Sequence, residues 1–237
     1  GKDREQSIKR QQAKPAYIFL VHGFMRSKLN MAAFRHTFKK EGYSVVNWCY
    51  PSKKYRIEDH ADELVYELQA LAKASPGRPI SFVTHSMGGL IVRCALNHPQ
   101  CPKEATIGHA VLFAAPNRGS ICARKLHQIP PIRWLLGNYA GMQLMTTERD
   151  GFDALGTFPK DMPVLVIAGN YGLSSWLGGS NDGKVLIEET HLTTDHYHLT
   201  HRAGHSWICY SPKVVRQAKD FLLTPTLDKD RDYKHCP

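Results

Sequence analysis

A serine in the first half of the chain has the neighbours that an enzyme nucleophile needs. Ser86 follows the β-branched and aromatic run Ile80–Val83. Gly88 and Gly89 supply small flanks, and apolar residues then recur at helical spacing. The pattern predicts a strand, a very tight turn and a helix, with an exposed hydroxyl at the apex beside a helix N-terminus that stabilises an oxyanion. Thr84 stands where the usual G-x-S-x-G pattern has its first glycine, so the match is partial. The alternative is a serine that caps a buried helix.

Strands and helices alternate on both sides of this turn. Apolar runs predict strands at Ala16–Val21, Ser44–Trp48, Ile80–Val83, Ala110–Ala114 and Pro163–Ala168, and one strand or a pair at Glu189–His201. Helical spacing predicts helices at Asn30–Lys40, at Ile57–Ala74, from the serine turn to about Asn97, and at Ser211–Leu222. This order predicts an α/β fold with a mainly parallel central sheet flanked by helices.

One long segment, from Arg118 to Met162, interrupts the alternation. It is too long for a simple connection and carries the apolar run Ile129–Leu136, followed by Met142, Leu144 and Met145. We interpret it as a helical cap insertion over the site, at about residues 118–162; the alternative is an ordinary crossover helix with additions. We therefore expect a flexible basic arm (1–15), one domain (16–223) and a C-terminal tail (224–237).

Composition and charge narrow the classes of partner. The chain has 237 residues and a formal net charge of +10, which suits anionic partners. The basic residues are dispersed, without a recognition helix or an RNA-binding signature, so no nucleic acid is expected. No apolar run is long enough to span a bilayer. A basic arm together with an apolar cap predicts docking on an anionic membrane surface; the arm contains Lys2, Arg4, Lys9, Arg10 and Lys14.

The six cysteines form no CxxC pair and have no zinc spacing, so buried free thiols are expected. The sequence begins with Gly1 and not Met, which leaves room for a removed targeting segment. With such a segment we expect an envelope-associated or secreted protein, and otherwise a cytoplasmic one. The oligomeric state is left open.

Two motifs resemble those of a known family. His22-Gly23-Phe24 follows the first central strand, and Thr84-His85-Ser86-Met87-Gly88-Gly89 forms the serine turn. The chain thus resembles the α/β-hydrolases, specifically bacterial lipases and esterases, over about Tyr17 to Leu223. The resemblance implies an eight-stranded type of sheet, a Ser-Asp-His triad, hydrolysis of carboxylic esters and no cofactor.

The resemblance implies an acidic residue on a loop after a late strand. Asp182, within Ser180–Val185, matches that loop, and its carboxylate would orient the histidine. The alternative is an Asx-turn residue before Gly183. Asp195 is the rival carboxylate, but it is expected in the following strand, too near the histidines.

The base must be chosen from a crowded region. The candidates are His191, His196, His198, His201 and His205. The resemblance implies a histidine on a loop between the last strand and the final helix. His205 fits, because Gly204 permits a turn and the helix opens at Ser211-Pro212. His201 is expected to end the strand.

His196 and His198 alternate onto one strand face, as a two-histidine metal site would. No nearby cysteine and no HExxH motif accompany them, so we expect solvated strand histidines and no metal site.

The oxyanion hole is expected to use the backbone N–H groups of Phe24 and Met87, whose side chains would face the acyl pocket. His22 is expected to brace the loop. The substrate-binding residues are expected in the cap, at Trp134, Leu135 and Leu136.

These residues together predict a serine hydrolase that cleaves lipid or other acyl esters through an acyl-enzyme. One alternative is an acyltransferase that uses the same triad with an alcohol or lipid as acceptor. Another is a non-catalytic binding protein on a hydrolase scaffold. Dehalogenase chemistry on this fold would need Asp at the position of Ser86.

Overall fold

The structure is a computed structural model that describes residues 2, 14–147, 151–172, 179, 181–205, 208–223 and 234–236. Its strands are β1 (Tyr17–Val21), β2 (Val45–Trp48), β3 (Ile80–His85), β4 (Ala110–Phe113), β5 (Val164–Gly169), β6 (His196–His201) and β7 (Lys234–Cys236). They form one seven-stranded sheet in the order β2-β1-β3-β4-β5-β6-β7. The first six pair in parallel, and β7 pairs antiparallel with β6. The predicted α/β fold with a mainly parallel sheet is confirmed, although the described residues form seven strands where the resemblance implied eight.

Helices cover both faces of the sheet. They are α1 (Ala32–Lys40), α2 (Ile57–Ala74), α3 (Met87–Leu96), α4 (Ile121–Leu126), α5 (Pro130–Leu136), α6 (Ala140–Thr146), α7 (Ile187–Thr190) and α8 (Pro212–Leu223). None of the helices in the described ranges combines the length and the apolar character that a membrane crossing requires. Short 3-10 turns occur at Lys28–Met31, Lys103–Ala105, Gly151–Leu155 and Ile208–Tyr210.

The period of two along each strand divides the core into two layers. In β1, Phe19 and Val21 pack on one side with the apolar faces of α2 and α3. Ile18 and Leu20 point to the other side, where they pack with α1 and α8. Because both faces are buried, the central strands are continuous apolar runs, as parallel strands usually are.

The helices of the 118–162 segment lie beside the start of α2. The amide of Gln143 in α6 accepts a hydrogen bond from Ile57 N–H at 2.7 Å and donates to Glu58 Oε2 at 2.8 Å. The N–H of Ala140 donates to the carbonyl of Tyr55 at 2.9 Å. These bonds attach α6 to the loop that precedes α2.

The segment 189–201 differs from its prediction, since it is not a strand or a pair throughout. Its first residues complete α7, because Glu189 Oε1 accepts the Leu186 N–H at 2.9 Å and caps the helix. Only His196–His201 becomes a strand, where it finds a partner in β5. Asp195 lies in the link before β6 and not in the strand.

The termini were predicted as an arm and a tail. Within the arm, residues 1 and 3–13 lie outside the described part of the chain, and so does most of the tail. Lys234–Cys236 at the end of the tail form β7, which adds an antiparallel edge to the sheet. The limits of the predicted domain and of the cap stay predictions.

Candidate active site

Ser86 lies between β3 and α3 in a backbone conformation that few residues adopt. Its φ of 54° and ψ of −125° fall in the region that normally favours glycine. Backbone bonds hold the turn on both sides: the Ser86 N–H donates to the Phe113 carbonyl at 2.8 Å, and its carbonyl accepts the Gly89 N–H at 3.1 Å. A strained turn held in this way lifts the serine side chain off the end of the strand.

The glycines after Ser86 are required by close packing. A Cβ on Gly88 would lie 2.6 Å from the carbonyl oxygen of Val21, and one on Gly89 would lie 3.1 Å from Thr84 Oγ1. Thr84 replaces the first glycine of the usual pattern because it faces Gly89, which leaves room for its side chain. Thr84 is fully buried, and its hydroxyl finds no hydrogen-bond partner within the described ranges.

Three side chains from separate loops form one hydrogen-bonded chain. His205 Nε2 lies 3.1 Å from Ser86 Oγ, and His205 Nδ1 lies 2.8 Å from Asp182 Oδ2. The Asp182 carboxylate is almost completely buried, and the imidazole nearly so. This geometry leaves the serine hydroxyl next to a ring nitrogen whose ring is oriented from behind by a carboxylate.

The loop of Asp182 aims this carboxylate with backbone bonds. Asp182 Oδ1 accepts the N–H groups of Lys184 at 3.0 Å and of Val185 at 2.8 Å, as in the Asx turn considered as the alternative. The other carboxylate oxygen, Oδ2, faces His205. The His205 N–H also donates to the Asp182 carbonyl at 2.8 Å. Two loops are thereby fixed to each other through backbone and side chain together.

The rival residues lie elsewhere. His201 ends β6, and its Nε2 lies 3.1 Å from Ser211 Oγ and not near Ser86. Partial burial, followed by the charge of Lys213, lowers the pKa of His201. Asp195 precedes β6, at the opposite end of that strand from the loop that carries His205.

A loop after β1 approaches Ser86 from the other side. A Cβ added to Gly23 would lie 3.2 Å from Ser86 Cβ, so the backbone at Gly23 packs closely against the serine. Met87 begins α3, and the first N–H groups of a helix have no intrahelical acceptor. Phe24 and Met87, the residues expected to supply the oxyanion donors, therefore follow two backbone segments that adjoin Ser86.

His22 braces this loop. Its Nδ1 donates to the Gly23 carbonyl at 2.8 Å, and its Nε2 accepts the Tyr50 N–H at 3.3 Å. The ring stacks on that of Tyr50 with centroids 4.2 Å apart. Burial lowers the pKa of His22, which agrees with a neutral ring that donates from one nitrogen and accepts at the other.

His85 and Asn30 connect the parts of the site, and the sequence analysis missed both. Asn30 Oδ1 accepts the Gly23 N–H at 3.2 Å and lies 2.8 Å from His85 Nδ1, while His85 Nε2 lies 2.8 Å from the His205 carbonyl oxygen. Burial, reinforced by the neighbouring His205, lowers the pKa of His85 well below its usual value, so its ring is neutral and donates in one of these contacts. The sequence signal that could have pointed to Asn30 was a polar residue among apolar neighbours.

A cavity of about 510 Å³ opens beside Ser86 and His205. Besides these two, its lining consists of Phe24, Met25, Arg26, Pro116, Ser120, Cys122, Ala123, Leu126, Leu136, Gly141, Leu144, Met145, Gly183, Lys184 and Val185. The wall comes largely from α4 to α6, and it is mostly apolar with two cations at Arg26 and Lys184.

Of the three cap residues expected to bind substrate, one lines the cavity and two do not. Leu136 lines it, but Trp134 and Leu135 do not: their side chains are 85% and 54% exposed. The reason is that α5 buries none of its residues, so two neighbours on a short helix point away from the third. Phe24 faces the cavity as expected, whereas the Met87 side chain is fully buried in the core.

Glu189 is a further residue that the sequence did not single out. Its Oε2 accepts the Ile121 N–H at 2.8 Å at the start of α4, and its carbonyl accepts the Arg118 N–H at 3.0 Å. It thus ties the cavity wall to the segment that follows Asp182.

The strand histidines also differ from expectation. His196 and His198 share a face of β6, but both are buried and not solvated. Their ring partners include His191, and Cys236 lies opposite His196 across the β6–β7 pair.

Comparisons with known proteins agree with this architecture. A family model described as "Putative serine esterase (DUF676)" matches residues 12–117, which include Ser86 but neither Asp182 nor His205. Lecithin-cholesterol acyltransferase-like 4 of Arabidopsis thaliana is 29% identical over 82 residues, which are 34% of this chain and only 15% of that protein.

Solved structures extend the likeness to most of the chain. The mature form of the Bacillus licheniformis lipase BlEst2 superposes with a TM-score of 0.69 at 21% identity, over 90% of this chain and 93% of that one. Phospholipase PlaB from Legionella pneumophila superposes with a TM-score of 0.53 at 19% identity, over 74% of this chain and 44% of that one.

The sheet, the strained serine turn and these superpositions define the class: the chain has the α/β-hydrolase fold. Within this fold the chain is similar to lipases and esterases, and the esterase model matches the part of the chain around Ser86.

Proposed function

We propose that the protein hydrolyses carboxylic esters, with Ser86 as nucleophile, His205 as general base and acid, and Asp182 as the group that orients His205. The observation that carries the proposal is the contact of 3.1 Å between Ser86 Oγ and His205 Nε2, continued by the contact of 2.8 Å to Asp182. Nucleophile, base and orienting acid in hydrogen-bond reach are the arrangement that nucleophilic catalysis requires.

The proposed reaction has two halves. His205 Nε2 takes the proton of Ser86 Oγ as the oxygen attacks the ester carbonyl carbon, and the carbonyl oxygen becomes an oxyanion. The tetrahedral intermediate then expels the alcohol, which receives the proton from His205. Water repeats the sequence on the acyl-enzyme: His205 accepts a proton from water and returns it to Ser86, and the acid is released.

We propose the N–H groups of Phe24 and Met87 as donors to the oxyanion. Their support is positional: the Gly23 backbone lies against Ser86, and Met87 is the first residue of α3. Donors fixed in place before the reaction stabilise developing charge without reorganisation, and losing one typically costs about 100- to 1,000-fold in rate.

The cavity supports an acyl ester as substrate class. Its volume of about 510 Å³ falls within the range of about 300–1,000 Å³ that is usual for small-molecule sites. Leu126, Leu136 and Leu144 offer an apolar wall for an acyl chain, and Arg26 and Lys184 offer cations for an anionic part of a lipid. The Legionella relative is a phospholipase by its name, which agrees with a lipid ester.

A fluorophosphonate probe and a series of p-nitrophenyl esters of increasing chain length test the proposal together. The wild-type protein is expected to react with the probe and to hydrolyse the esters, and Ser86→Ala is expected to do neither. Ser75→Ala, which removes a serine hydroxyl at the end of α2, is the matched control and should keep both activities. Probe labelling that persists in Ser86→Ala would contradict the assignment of the nucleophile.

Acyl transfer is the second candidate, because the same three residues would serve an alcohol acceptor as well as water. The observation that favours it is the partial match to a plant protein named as acyltransferase-like. Adding an alcohol to an ester assay separates the two. With a hydrolase, the amount of free acid released per ester cleaved stays the same. With a transferase, a new ester of the added alcohol forms and less free acid is released.

We also propose that α5 docks the protein on an anionic lipid surface. Its support is the exposed pair Trp134 and Leu135 beside Leu136 in the cavity wall, with Arg133 on the same helix and a net charge of +10. Amphipathic faces with cations bind such surfaces through apolar insertion and electrostatic attraction.

A further inference from the structure

A cluster of metal-ligating side chains lies far from Ser86 in the sheet. One ring nitrogen each of His191 and His196 and the sulfur of Cys236 lie within 4.8 Å of one another. His196 is the first residue of β6, whereas Ser86 follows the carboxyl end of the parallel strand β3. The length of a strand such as β6, about 16 Å, therefore separates the two edges.

The fold assembles this cluster from three segments. β7 pairs antiparallel with β6 in a register that puts Cys236 directly opposite His196, and directly opposed residues point to the same face of a sheet. His191 follows α7 and returns over that face, where its ring stacks on His198 with centroids 3.9 Å apart and planes 11° apart. The stacking fixes the plane of the His191 ring.

The hydrogen bonds of His196 leave one of its ring nitrogens with a lone pair for a metal. His196 Nδ1 lies 2.6 Å from the Thr194 carbonyl, so this nitrogen carries the proton and Nε2 presents its lone pair. That Nε2 lies 2.9 Å from His191 Nδ1. A histidine that ligates a metal typically donates its other N–H to a carbonyl or carboxylate in this way.

We propose that His191, His196 and Cys236 form a binding site for Zn²⁺. Imidazole and thiolate are the donors that zinc prefers, and this soft set excludes Mg²⁺ and Ca²⁺, which take oxygen ligands. A tetrahedral zinc with Zn–N of about 2.05 Å and Zn–S of about 2.3 Å places its ligand atoms about 3.3–3.6 Å apart. The observed separations lie close enough for small side-chain rotations to reach this geometry.

Zinc would bind through His196 Nε2, through His191 Nδ1 after its proton has moved to Nε2 of the same ring, and through the Cys236 thiolate; the thiol proton would be released to solvent. Three protein ligands leave the fourth position for water. Because α7 follows the Asp182 loop and β7 is the sheet edge, the metal would join three separate segments of the chain. The proposal does not depend on the proposed esterase function.

Cobalt(II) is the probe, because it replaces zinc and its bond to a thiolate absorbs in the near ultraviolet. The purified chain is stripped with a chelator and titrated with Co²⁺ and then with Zn²⁺. We expect one cobalt per chain, a thiolate-to-cobalt band, and displacement of cobalt by zinc. Zinc at about 100 times its dissociation constant should raise the melting temperature by about 5–10 °C.

Variants decide whether these three residues bind the metal. Cys236→Ser should abolish the thiolate band, and His196→Gln should weaken affinity by more than about 100-fold, because loss of a ligand exceeds the loss of an outer partner. Cys49→Ser, which changes an exposed cysteine elsewhere, is the matched control and should bind as the wild type does. Circular dichroism at 25 °C verifies that each variant is folded.

Two results would overturn the proposal. One is a folded wild-type chain that shows no thiolate band with cobalt at millimolar concentration. The other is a band of equal strength in wild type, Cys236→Ser and Cys49→Ser, which would assign the metal to other thiols. If Cys236→Ser fails to fold, His191→Gln and His196→Gln give the same decision through affinity.

Discussion

The two ends of β6 carry histidines in contrasting surroundings. Beyond its carboxyl end, His205 has an oriented partner at each ring nitrogen, Asp182 on one side and Ser86 on the other, beside a cavity. At its amino end, His191 and His196 face each other and meet Cys236 from the neighbouring strand. One end aligns a carboxylate, an imidazole and a hydroxyl, and the other brings two imidazoles and a thiol together.

The contrast follows from the sheet. The carboxyl ends of parallel strands lie at one end of the sheet, so loops from several strands converge there and bring together a carboxylate, an imidazole and a serine hydroxyl from separate places in the sequence. The amino end of β6 instead borders an antiparallel edge strand, which brings one more side chain into register. What a histidine can do therefore depends on the end of the strands at which it lies, because each end supplies different neighbouring side chains.

The largest expected effect separates the two histidines at the carboxyl end of β6. His205→Gln should lower kcat/KM for a short p-nitrophenyl ester by about 10⁴- to 10⁶-fold, because the serine loses its base. His201→Gln, the matched control, removes a ring that contacts Ser211 and should change kcat/KM by less than about tenfold. Equal losses in the two variants would contradict the choice of base.

The second prediction concerns the carboxylates. Asp182→Asn should lower kcat by about 10⁴-fold, since the amide no longer holds the His205 tautomer that accepts the serine proton. Asp195→Asn lies at the amino end of β6 and should leave kcat near the wild-type value. Steady-state kinetics at pH 8 measures both variants. A kcat for Asp182→Asn within tenfold of wild type would contradict the proposal that Asp182 orients His205.

The third prediction tests how tightly the carboxyl edge is packed. Gly88→Ala should destabilise the protein by about 1–3 kcal/mol, because the new Cβ would lie 2.6 Å from a backbone oxygen that cannot move freely. Gly179→Ala meets only the Leu186 side chain at 3.6 Å and should stay within about 0.5 kcal/mol of wild type. Urea unfolding measures both; a neutral Gly88→Ala would mean that the turn is looser than described.

The smallest effect concerns the outer face of the cavity wall. Trp134→Ala should weaken binding to anionic vesicles by roughly tenfold, the consequence of losing about 1.5 kcal/mol or more of apolar burial, without changing hydrolysis of a short soluble ester. Tyr66→Ala removes another exposed aromatic ring, on α2, and should bind vesicles as the wild type does. Sedimentation at low and high salt is the measurement, and attraction should fall as salt rises. Vesicle binding that is the same for wild type and Trp134→Ala, and that does not change with lipid charge or salt, would exclude docking through α5.

Periodicity alone predicted much of the fold. The helix Ile57–Ala74 has the predicted bounds, and strands β1 to β5 lie within a residue or two of their apolar runs. These elements are predictable because burial on a helix face or on both faces of a strand leaves a local repeat. The turn at Ser86 was readable for the same reason, since Gly88 and Gly89 adjoin it in sequence.

Contacts between distant segments were not readable in this way. The sequence offered several histidines as base, and only the packing of loops brings His205, and not His201, to Ser86. The exposure of Trp134 and Leu135 depends on how α5 lies against the body, and no periodicity in so short a helix sets that.

The sequence by itself therefore determined the class of fold and the tight serine turn, because each leaves a local pattern. Asp182 and His205 were expected only from the resemblance to α/β-hydrolases. Only the tertiary structure decided which histidine faces the serine, which cap residues enclose the cavity, and that Cys236 meets His196. Those outcomes depend on strand pairing and loop packing between residues that lie far apart in the chain. The sequence around each of these residues does not indicate which distant residue it will contact.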